Sequence, residues 1–204
     1  MKKALILVDI QNDFLPGGAL AVPEGDMIVP LVNRIQEKFD LILATQDYHP
    51  ANHASFAINH ENKKPGEIID LHGLTQVLWP AHCVQHSDGA AFGKDLDMAR
   101  VTKIFYKGEN PDIDSYSGFF DNGKRKKTGL AEYLKSKGVD TVYIVGLATD
   151  FCVKFTALDA VDLGFETYVI KDATRAINLQ PGDFEASLKA MERAGVKVIE
   201  SEDL

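Results

Sequence analysis

Side chains with reactive chemistry lie at the ends of four apolar runs of this sequence, or just after them. Asp9 lies in ALILVDI, Asp47 ends LILATQD with His49 two residues later, Lys107 lies at the end of VTKIFYKG, and Cys152 follows VDTVYIVGLA. Ligands of open parallel sheets bind beyond the carboxyl ends of the strands. If these runs are parallel strands, one site would hold an acid, a lysine, a thiol and a pair of metal ligands.

Cys152 stands where an apolar run gives way to a helix-like pattern, in GLATDFCV. We expect Thr149 or Asp150 to cap this helix, which places the thiol in its first turn. The helix dipole and a nearby Lys107 would then lower the thiol pKa, and free N–H groups could receive an oxyanion. From position alone, a small packed side chain remains the alternative. Cys83 lies in a loop, and packing is its predicted role.

The six histidines all fall between residues 49 and 86, which suggests a metal site. Asp47 and His49 have i, i+2 spacing, so in an extended segment both side chains face the same side. A third donor would complete a site for Zn²⁺ or a similar ion that leaves coordination positions open. The candidates are His53, His82 and His86. We favour His82, in WPAHC, because the preceding Pro80 restricts the backbone.

Six short apolar runs predict strands, and most are continuous, as expected for strands covered on both faces. They span residues 4–10, 41–47, 101–108, 139–148, 166–172 and 196–201. Segments with helical spacing lie between several of them, at 25–39, 128–138, 149–164 and 183–195. This alternation predicts an α/β fold of three layers, a six-stranded parallel sheet between helices. Residues 48–100 interrupt the rhythm and are predicted to form a small inserted lobe.

Helical spacing also predicts which faces are buried. The first helix would bury Met27, Leu31, Ile35 and Phe39, with Pro30 tolerated near its first turn. The predicted helix at 149–164 would bury Phe151, Phe155, Leu158 and Val161.

Composition limits the classes of function. A length of 204 residues suits a single domain, here taken as 1–204. The net charge of −8 argues against nucleic acid or an anionic membrane as a partner. No apolar run approaches the roughly 20 residues of a membrane span. The apolar run at the start of the sequence spans about five residues and ends at Asp9 without a small-residue cleavage site, so we expect no signal peptide and a cytoplasmic protein. Two cysteines are too few for a secreted disulfide scaffold, and in a cytoplasmic protein we expect both thiols to be reduced.

Six motifs in order resemble the nicotinamidase, or pyrazinamidase, family of isochorismatase-like cysteine hydrolases. They are LVDIQNDFLPGGAL (7–20), TQDYHPANHASF (45–56), WPAHCV (79–84), FYKG (105–108), SYSGF (115–119) and VGLATDFCV (145–153). The resemblance covers almost the whole chain and implies a six-stranded parallel sheet flanked by helices. It also implies hydrolysis of nicotinamide to nicotinate and ammonia, with pyrazinamide as a further substrate.

The resemblance assigns roles residue by residue. The implied catalytic triad is Asp9, Lys107 and Cys152. The implied ligands of one divalent metal ion, zinc first and iron or manganese as alternatives, are Asp47, His49 and His82. The implied oxyanion donors are the N–H groups of Ala148 and Cys152, behind a cis peptide at Leu147–Ala148. The implied ring pocket comprises Phe14, Leu20, Trp79, Tyr116 and Phe151, and His53 matches a histidine of variable spacing.

Other functions remain open at this stage. A related cysteine hydrolase could act on another small amide or a ureido compound. A metal hydrolase could use a metal-bound hydroxide, with Cys152 structural. A binding protein on the same fold would catalyse nothing. The sequence leaves the number of subunits undetermined, and a homo-oligomer is possible.

Overall fold

The computed structural model of the chain describes residues 2–204 and contains eight strands and four α-helices in that range. The strands are β1 (Lys3–Val8), β2 (Ile42–Asp47), β3 (Ile68–Leu71), β4 (Leu74–Val77), β5 (Lys103–Lys107), β6 (Thr141–Leu147), β7 (Glu166–Arg175) and β8 (Lys197–Ile199). The helices are α1 (Val29–Gln36), α2 (Leu130–Ser136), α3 (Lys154–Asp162) and α4 (Asp183–Arg193). None of these helices is both long and apolar enough to cross a bilayer.

Six strands form the main sheet, in the order β5-β2-β1-β6-β7-β8, and every neighbouring pair is parallel. Each predicted strand therefore exists in the structure, with bounds that differ by up to three residues. The central strands β1, β2 and β6 are almost wholly buried, which explains why their sequences read as continuous apolar runs.

Helices cover both faces of the sheet, as the three-layer prediction requires. One core includes Leu130 and Leu134 of α2, Ala157 of α3 and Met191 of α4. The opposite core receives α1, through residues such as Val32. The prediction of a six-stranded parallel sheet between helices is confirmed.

Two predicted helix faces are only partly correct, since Ile35 and Phe39 are buried as expected but Met27 and Phe155 are not. Met27 lies in a 3₁₀ turn before α1 and is 63% exposed, because α1 begins only at Val29. In α3 the buried residues are Thr156, Ala157, Asp159 and Ala160, whereas Phe155 is exposed. Small side chains let α3 pack closely on the sheet, whereas the larger Phe151 is only partly buried at the edge of this core.

Residues 48–102 lie between β2 and β5 and contribute no strand to the main sheet. The strands β3 and β4 form a separate antiparallel pair within this segment. Isolated bridges join His49 to Val84 and Phe56 to Trp79, so the segment folds back on itself beside the end of β2. This agrees with the predicted inserted lobe at about 48–100.

The sheet register brings the predicted functional residues to one edge. Asp47 and Lys107 are direct partners across β2 and β5, each the last residue of its strand. Val8 pairs with Thr45 on one side and with Gly146 on the other, so Asp9 emerges between β2 and β6. A side chain at Gly146 would lie 2.1 Å from the carbonyl oxygen of Val8, so only glycine fits there.

Candidate active site

Lys107 is the hub of a buried cluster at the carboxyl edge of the sheet. Its Nζ lies 2.9 Å from Oδ2 of Asp9, 2.9 Å from Oδ1 of Asp47 and 3.4 Å from Sγ of Cys152. It also donates to the carbonyl oxygen of Ser115 at 2.9 Å. The structure thus brings together the three residues predicted as a catalytic triad, and joins them to the predicted metal ligands through one amino group.

The charges of this cluster depend on one another. Burial alone would lower the pKa of Lys107, but the carboxylates of Asp47 and Asp9 outweigh it and hold this pKa well above its usual range. Burial raises the pKa of Asp9, and the charge of Asp47 adds to this, whereas Lys107 opposes it. Asp9 is therefore a carboxylate that accepts a proton more readily than an exposed aspartate does.

Asp9 reaches the cluster from an unusual backbone position. It follows the last residue of β1 and has a left-handed φ of 48°. The hydroxyl of Thr45, on the neighbouring strand β2, donates to its Oδ1 at 2.7 Å. This bond fixes one carboxylate oxygen, and the other, Oδ2, faces Lys107. Thr45 begins the motif TQDYHPANHASF, and the structure shows its role as a residue that supports Asp9.

The segment that carries Cys152 begins as a π-helical turn, Thr149–Val153, and continues as α3. The predicted side-chain cap is absent from this turn, which Ala148 precedes without a capping bond from a side chain. The hydroxyl of Thr149 instead pairs with that of Thr174 on β7 at 2.5 Å. Neither predicted cap forms, because both candidate side chains bond to neighbouring elements instead.

Asp150 holds the chain that follows β7. Its carboxylate accepts hydrogen bonds from the backbone N–H groups of Ile177 at 3.0 Å and Asn178 at 2.8 Å. Ile177 also lines the cavity at Cys152. Asp150, predicted as a helix cap, therefore acts between elements and fixes one wall of the cavity.

The thiol of Cys152 does not have the lowered pKa that the sequence led us to expect. Burial raises this pKa well above its usual range, and Asp9 and Asp47 raise it further, while Lys107 opposes them. The resting side chain is thus a neutral thiol, and its reaction as a nucleophile requires a base. Asp9 is the nearby carboxylate with a raised pKa. Cys83 is also buried, as predicted, and burial raises its pKa.

Asp47, His49 and His82 form a group with the donor atoms of a metal site. The Nε2 atoms of His49 and His82 lie 3.0 and 3.4 Å from Oδ2 of Asp47. Their Nδ1 atoms lie 2.9 Å from the carbonyl oxygen of Gly108 and 2.7 Å from that of Pro80. A carbonyl only accepts, so each Nδ1 carries a proton, and each Nε2 presents a lone pair whenever its ring is neutral. Burial would lower the pKa of His49, but the charge of Asp47 outweighs it and raises this pKa.

This donor set fits a divalent cation. Within residues 2–204 the buried Nε2 of His49 makes no hydrogen bond of good geometry, although Oδ2 of Asp47 lies 3.0 Å away. Strand-like pairing brings the two histidine segments together, since His49 N–H donates to Cys83 and Gln85 N–H donates to His49. Gly108 permits the close approach, because a Cβ there would lie 2.4 Å from the ring of His49.

The other two histidines proposed as a third ligand lie elsewhere. His53 groups with His49 and Asp114, and burial together with His49 lowers its pKa to about 4, so it is neutral at pH 7. His86 is exposed and contacts Tyr48. The sequence does not reveal Asp114 as part of this group, because nothing marks it except its position directly before SYSGF.

An aromatic cavity opens beside Cys152. Its walls are Phe14, Leu20, Asp47, Trp79, His82, Asp114, Tyr116, Ala148, Phe151, Cys152 and Ile177. All five residues expected to line a ring pocket are present, and His53 is outside it. The ring of Phe151 packs edge-on against Trp79, with centroids 4.9 Å apart, and against Tyr116 at 5.3 Å. The peptide bond between Leu147 and Ala148 is cis, as expected.

The cavity is narrow in this structure. Its volume is about 20 Å³, enough for roughly one water molecule. Trp79 donates from Nε1 to the hydroxyl of Tyr116 at 3.1 Å, and Gln76 donates to the same hydroxyl at 3.1 Å. A flat ring can therefore enter only when the aromatic side chains move apart.

Comparison with known proteins identifies the family. The isochorismatase domain model matches residues 3–203. A nicotinamidase of Escherichia coli is 50% identical over 95% of this chain and 92% of its own length. An Acinetobacter nicotinamidase and pyrazinamidase structure is 48% identical, with a TM-score of 0.96 over 99% of this chain and 97% of its own.

A third relative was solved with a metal. A pyrazinamidase of Pyrococcus horikoshii in complex with zinc is 43% identical, with a TM-score of 0.79 over 98% of this chain and 99% of its own. The matches extend over nearly the full length of each protein. The chain therefore belongs to the isochorismatase domain family.

Proposed function

We propose that this protein is a nicotinamidase, which hydrolyses nicotinamide to nicotinate and ammonia and also accepts pyrazinamide. The observation that carries the proposal is the position of the Lys107 amino group, within 3.4 Å of Cys152 and 2.9 Å of both Asp9 and Asp47. Full-length similarity to nicotinamidases supports the same substrate. The product nicotinate fits a role in recovering the pyridine ring for NAD synthesis.

The first chemical step forms a thioester. Asp9 takes the proton of the Cys152 thiol as the sulfur attacks the amide carbon, and the carbonyl electrons move to oxygen. The raised pKa of Asp9 supports its role as the base, and the charge of Lys107 stabilises the sulfur as the proton leaves. The backbone N–H groups of Ala148 and Cys152 stabilise the oxyanion. Loss of one such donor typically costs about 3–4 kcal/mol.

The tetrahedral adduct then breaks down. The C–N bond breaks as Asp9 returns its proton to nitrogen, and ammonia leaves. A water molecule attacks the thioester carbon and gives a proton to Asp9. The C–S bond breaks, Asp9 returns the proton to the sulfur, and the new carboxyl group loses its own proton to solvent, so the product leaves as nicotinate. Asp9 thus alternates between base and acid, and the enzyme ends in its starting protonation state.

The metal ligands proposed for this chain are Asp47, His49 and His82. A divalent cation bound there would supply a Lewis acid that coordinates the ring nitrogen and orients the amide toward the thiol. We propose zinc, with iron or manganese as alternatives, because imidazole and carboxylate donors suit each of them. The zinc in the Pyrococcus relative supports this choice.

The aromatic residues select the ring. Phe14, Trp79, Tyr116 and Phe151 surround the cavity, and their faces and edges suit a flat heteroaromatic amide. Leu20 completes the slot from the loop after β1. We place His53 behind His49, as a neutral residue that supports the ligand ring, since their centroids are 4.4 Å apart. We propose a single domain that acts in the cytoplasm.

Ammonia release from nicotinamide tests the proposal. The purified protein should release ammonia, Cys152→Ala should abolish the release while circular dichroism remains unchanged, and chelation should remove most activity without unfolding. Pyrazinamide, other small amides and ureido compounds, assayed in parallel, separate this function from that of related hydrolases. Release that survives Cys152→Ala would refute the covalent route. Preference for a ureido substrate would reassign the enzyme.

A further inference from the structure

Gln11 holds the backbone of Asp47 from both sides. Its Oε1 accepts the backbone N–H of Asp47 at 2.8 Å, and its Nε2 donates to the carbonyl oxygen of the same residue at 2.8 Å. The Nε2 also donates to the carbonyl oxygen of Ala90 at 2.8 Å. The side chain is wholly buried, and each of its polar atoms has a partner. Gln11 therefore closes a small hydrogen-bonded ring around one residue.

The position of Asp47 requires such support. It is the last residue of β2, and the sheet hydrogen bonds that hold a strand in place stop there. Its carboxylate faces Lys107 through Oδ1 and the two histidines through Oδ2, so small rotations of its backbone would disturb both contacts. The two bonds from Gln11 restrain rotation on either side of its Cα.

We propose that Gln11 is a positioning residue for the metal site, which acts by fixing the backbone of Asp47. This inference rests on the proposed function, because it takes Asp47 as a metal ligand. Residues that orient a metal ligand through hydrogen bonds typically change metal affinity 10–100-fold when they are replaced. Gln11 touches neither the thiol nor the aromatic cavity, so its effect should appear in metal binding first.

The chain contains a matched control. Gln46 precedes Asp47 on β2 and donates from Nε2 to the same carbonyl oxygen of Ala90, at 2.7 Å. Its side chain is also buried, but its hydrogen bond does not reach Asp47. Gln46→Met thus removes a buried amide and a hydrogen bond to Ala90, and leaves both hydrogen bonds between Gln11 and the Asp47 backbone intact.

The test compares zinc affinity in Gln11→Met and Gln46→Met. Each metal-free protein is titrated with Zn²⁺ against a chromophoric chelator, and folding is checked by circular dichroism and thermal unfolding. We expect the dissociation constant to rise about 10–100-fold in Gln11→Met and less than about threefold in Gln46→Met. Catalytic activity at saturating zinc should recover in Gln11→Met more fully than at limiting zinc.

A second variant of Gln11 keeps the test informative if Gln11→Met does not fold. Gln11→Glu keeps the length of the side chain and an oxygen for the Asp47 N–H, and should also weaken zinc binding. Equal affinity in the wild type and a folded Gln11 variant, or equal losses in Gln11→Met and Gln46→Met, would overturn the inference. So would a failure of both Gln11 variants to fold, which would assign Gln11 to stability. A wild type that binds no zinc would refute the proposed metal site instead.

Discussion

Replacing Lys107 with methionine should destabilise the metal-free protein strongly. The ammonium group lies 2.9 Å from a carboxylate oxygen of both Asp9 and Asp47, and its side chain is 0% exposed. Methionine fills a similar volume but leaves two buried carboxylates without their cation. Removal of one partner from a buried ion pair costs about 3–5 kcal/mol. For a domain of this size that corresponds to a fall in Tm of about 6–20 °C.

Lys103→Met is the matched control, because Lys103 lies on the same strand but is exposed. Its amino group lies over the rings of Phe105 and Tyr133, 5.0 and 4.7 Å from their centroids. An exposed contact of this kind contributes about 0.5–1 kcal/mol. We therefore expect a small loss in the control, measured by thermal unfolding in the presence of chelator.

The deficit of Lys107→Met should also depend on pH. Burial raises the pKa of Asp9 above that of an unfolded aspartate, and Lys107 opposes the rise, so this pKa should rise further in the variant. A carboxyl group with a raised folded pKa binds protons more tightly in the folded state. Stability should therefore recover as pH falls through the raised pKa toward the unfolded value near 4. The deficit should be larger at pH 8 than at pH 5.

Two outcomes would refute this reasoning about Lys107. The first is a Tm change equal to that of Lys103→Met at pH 8. The second is a deficit that stays constant or grows as pH falls, because the buried carboxylates would then not be its source.

Two further substitutions test the framework of the site. Gly108→Ala should weaken zinc binding, since its Cβ would lie 2.4 Å from the ring of His49; Gly138→Ala, at the same left-handed φ but with open space, should not. Comparable zinc titrations of the two variants would contradict the steric argument. Asp150→Ala leaves two backbone N–H groups without their acceptor and should cost about 1–3 kcal/mol in denaturant unfolding. A loss below about 0.5 kcal/mol would mean that water replaces the carboxylate.

The sequence predicted the sheet and its functional edge because both follow from simple patterns. Strands buried on both faces appear as continuous apolar runs, and parallel strands bring their carboxyl ends to one edge. Asp47 and Lys107 could therefore be assigned to one site. Their pairing as direct neighbours depends on the strand order, which the sequence does not encode locally.

The errors have a common physical origin. A helical period identifies α3, but the face it buries depends on how closely the helix approaches the sheet, and Ala157 and Ala160 decide that distance. Similarly, Thr149 and Asp150 have the chemistry of helix caps, but tertiary partners on β7 and the segment after it compete for both side chains. A side chain with the local propensity to cap a helix does not cap it where a neighbouring element offers another hydrogen-bond partner.

Gln11 and Asp114 escaped prediction for a different reason. Gln11 bonds to backbone groups of Asp47 and Ala90, and backbone groups carry no signal in a sequence. Asp114 joins His49 and His53 only because the loop between β5 and α2 folds over the sheet edge. Supporting residues of this kind become visible only once the loops are placed.

The catalytic residues and the proposed metal ligands are coupled electrostatically. Lys107 contacts Asp9 and Cys152 on one side and Asp47 on the other, so its single positive charge serves both the thiol and the metal ligands. Burial would raise the pKa of Asp47, but His49 and Lys107 hold it well below its usual range, which keeps this ligand ionised. A substitution that alters charge at either half must therefore change the electrostatic environment of the other. Mutational effects on zinc affinity and on turnover should be non-additive for residues that contact Lys107.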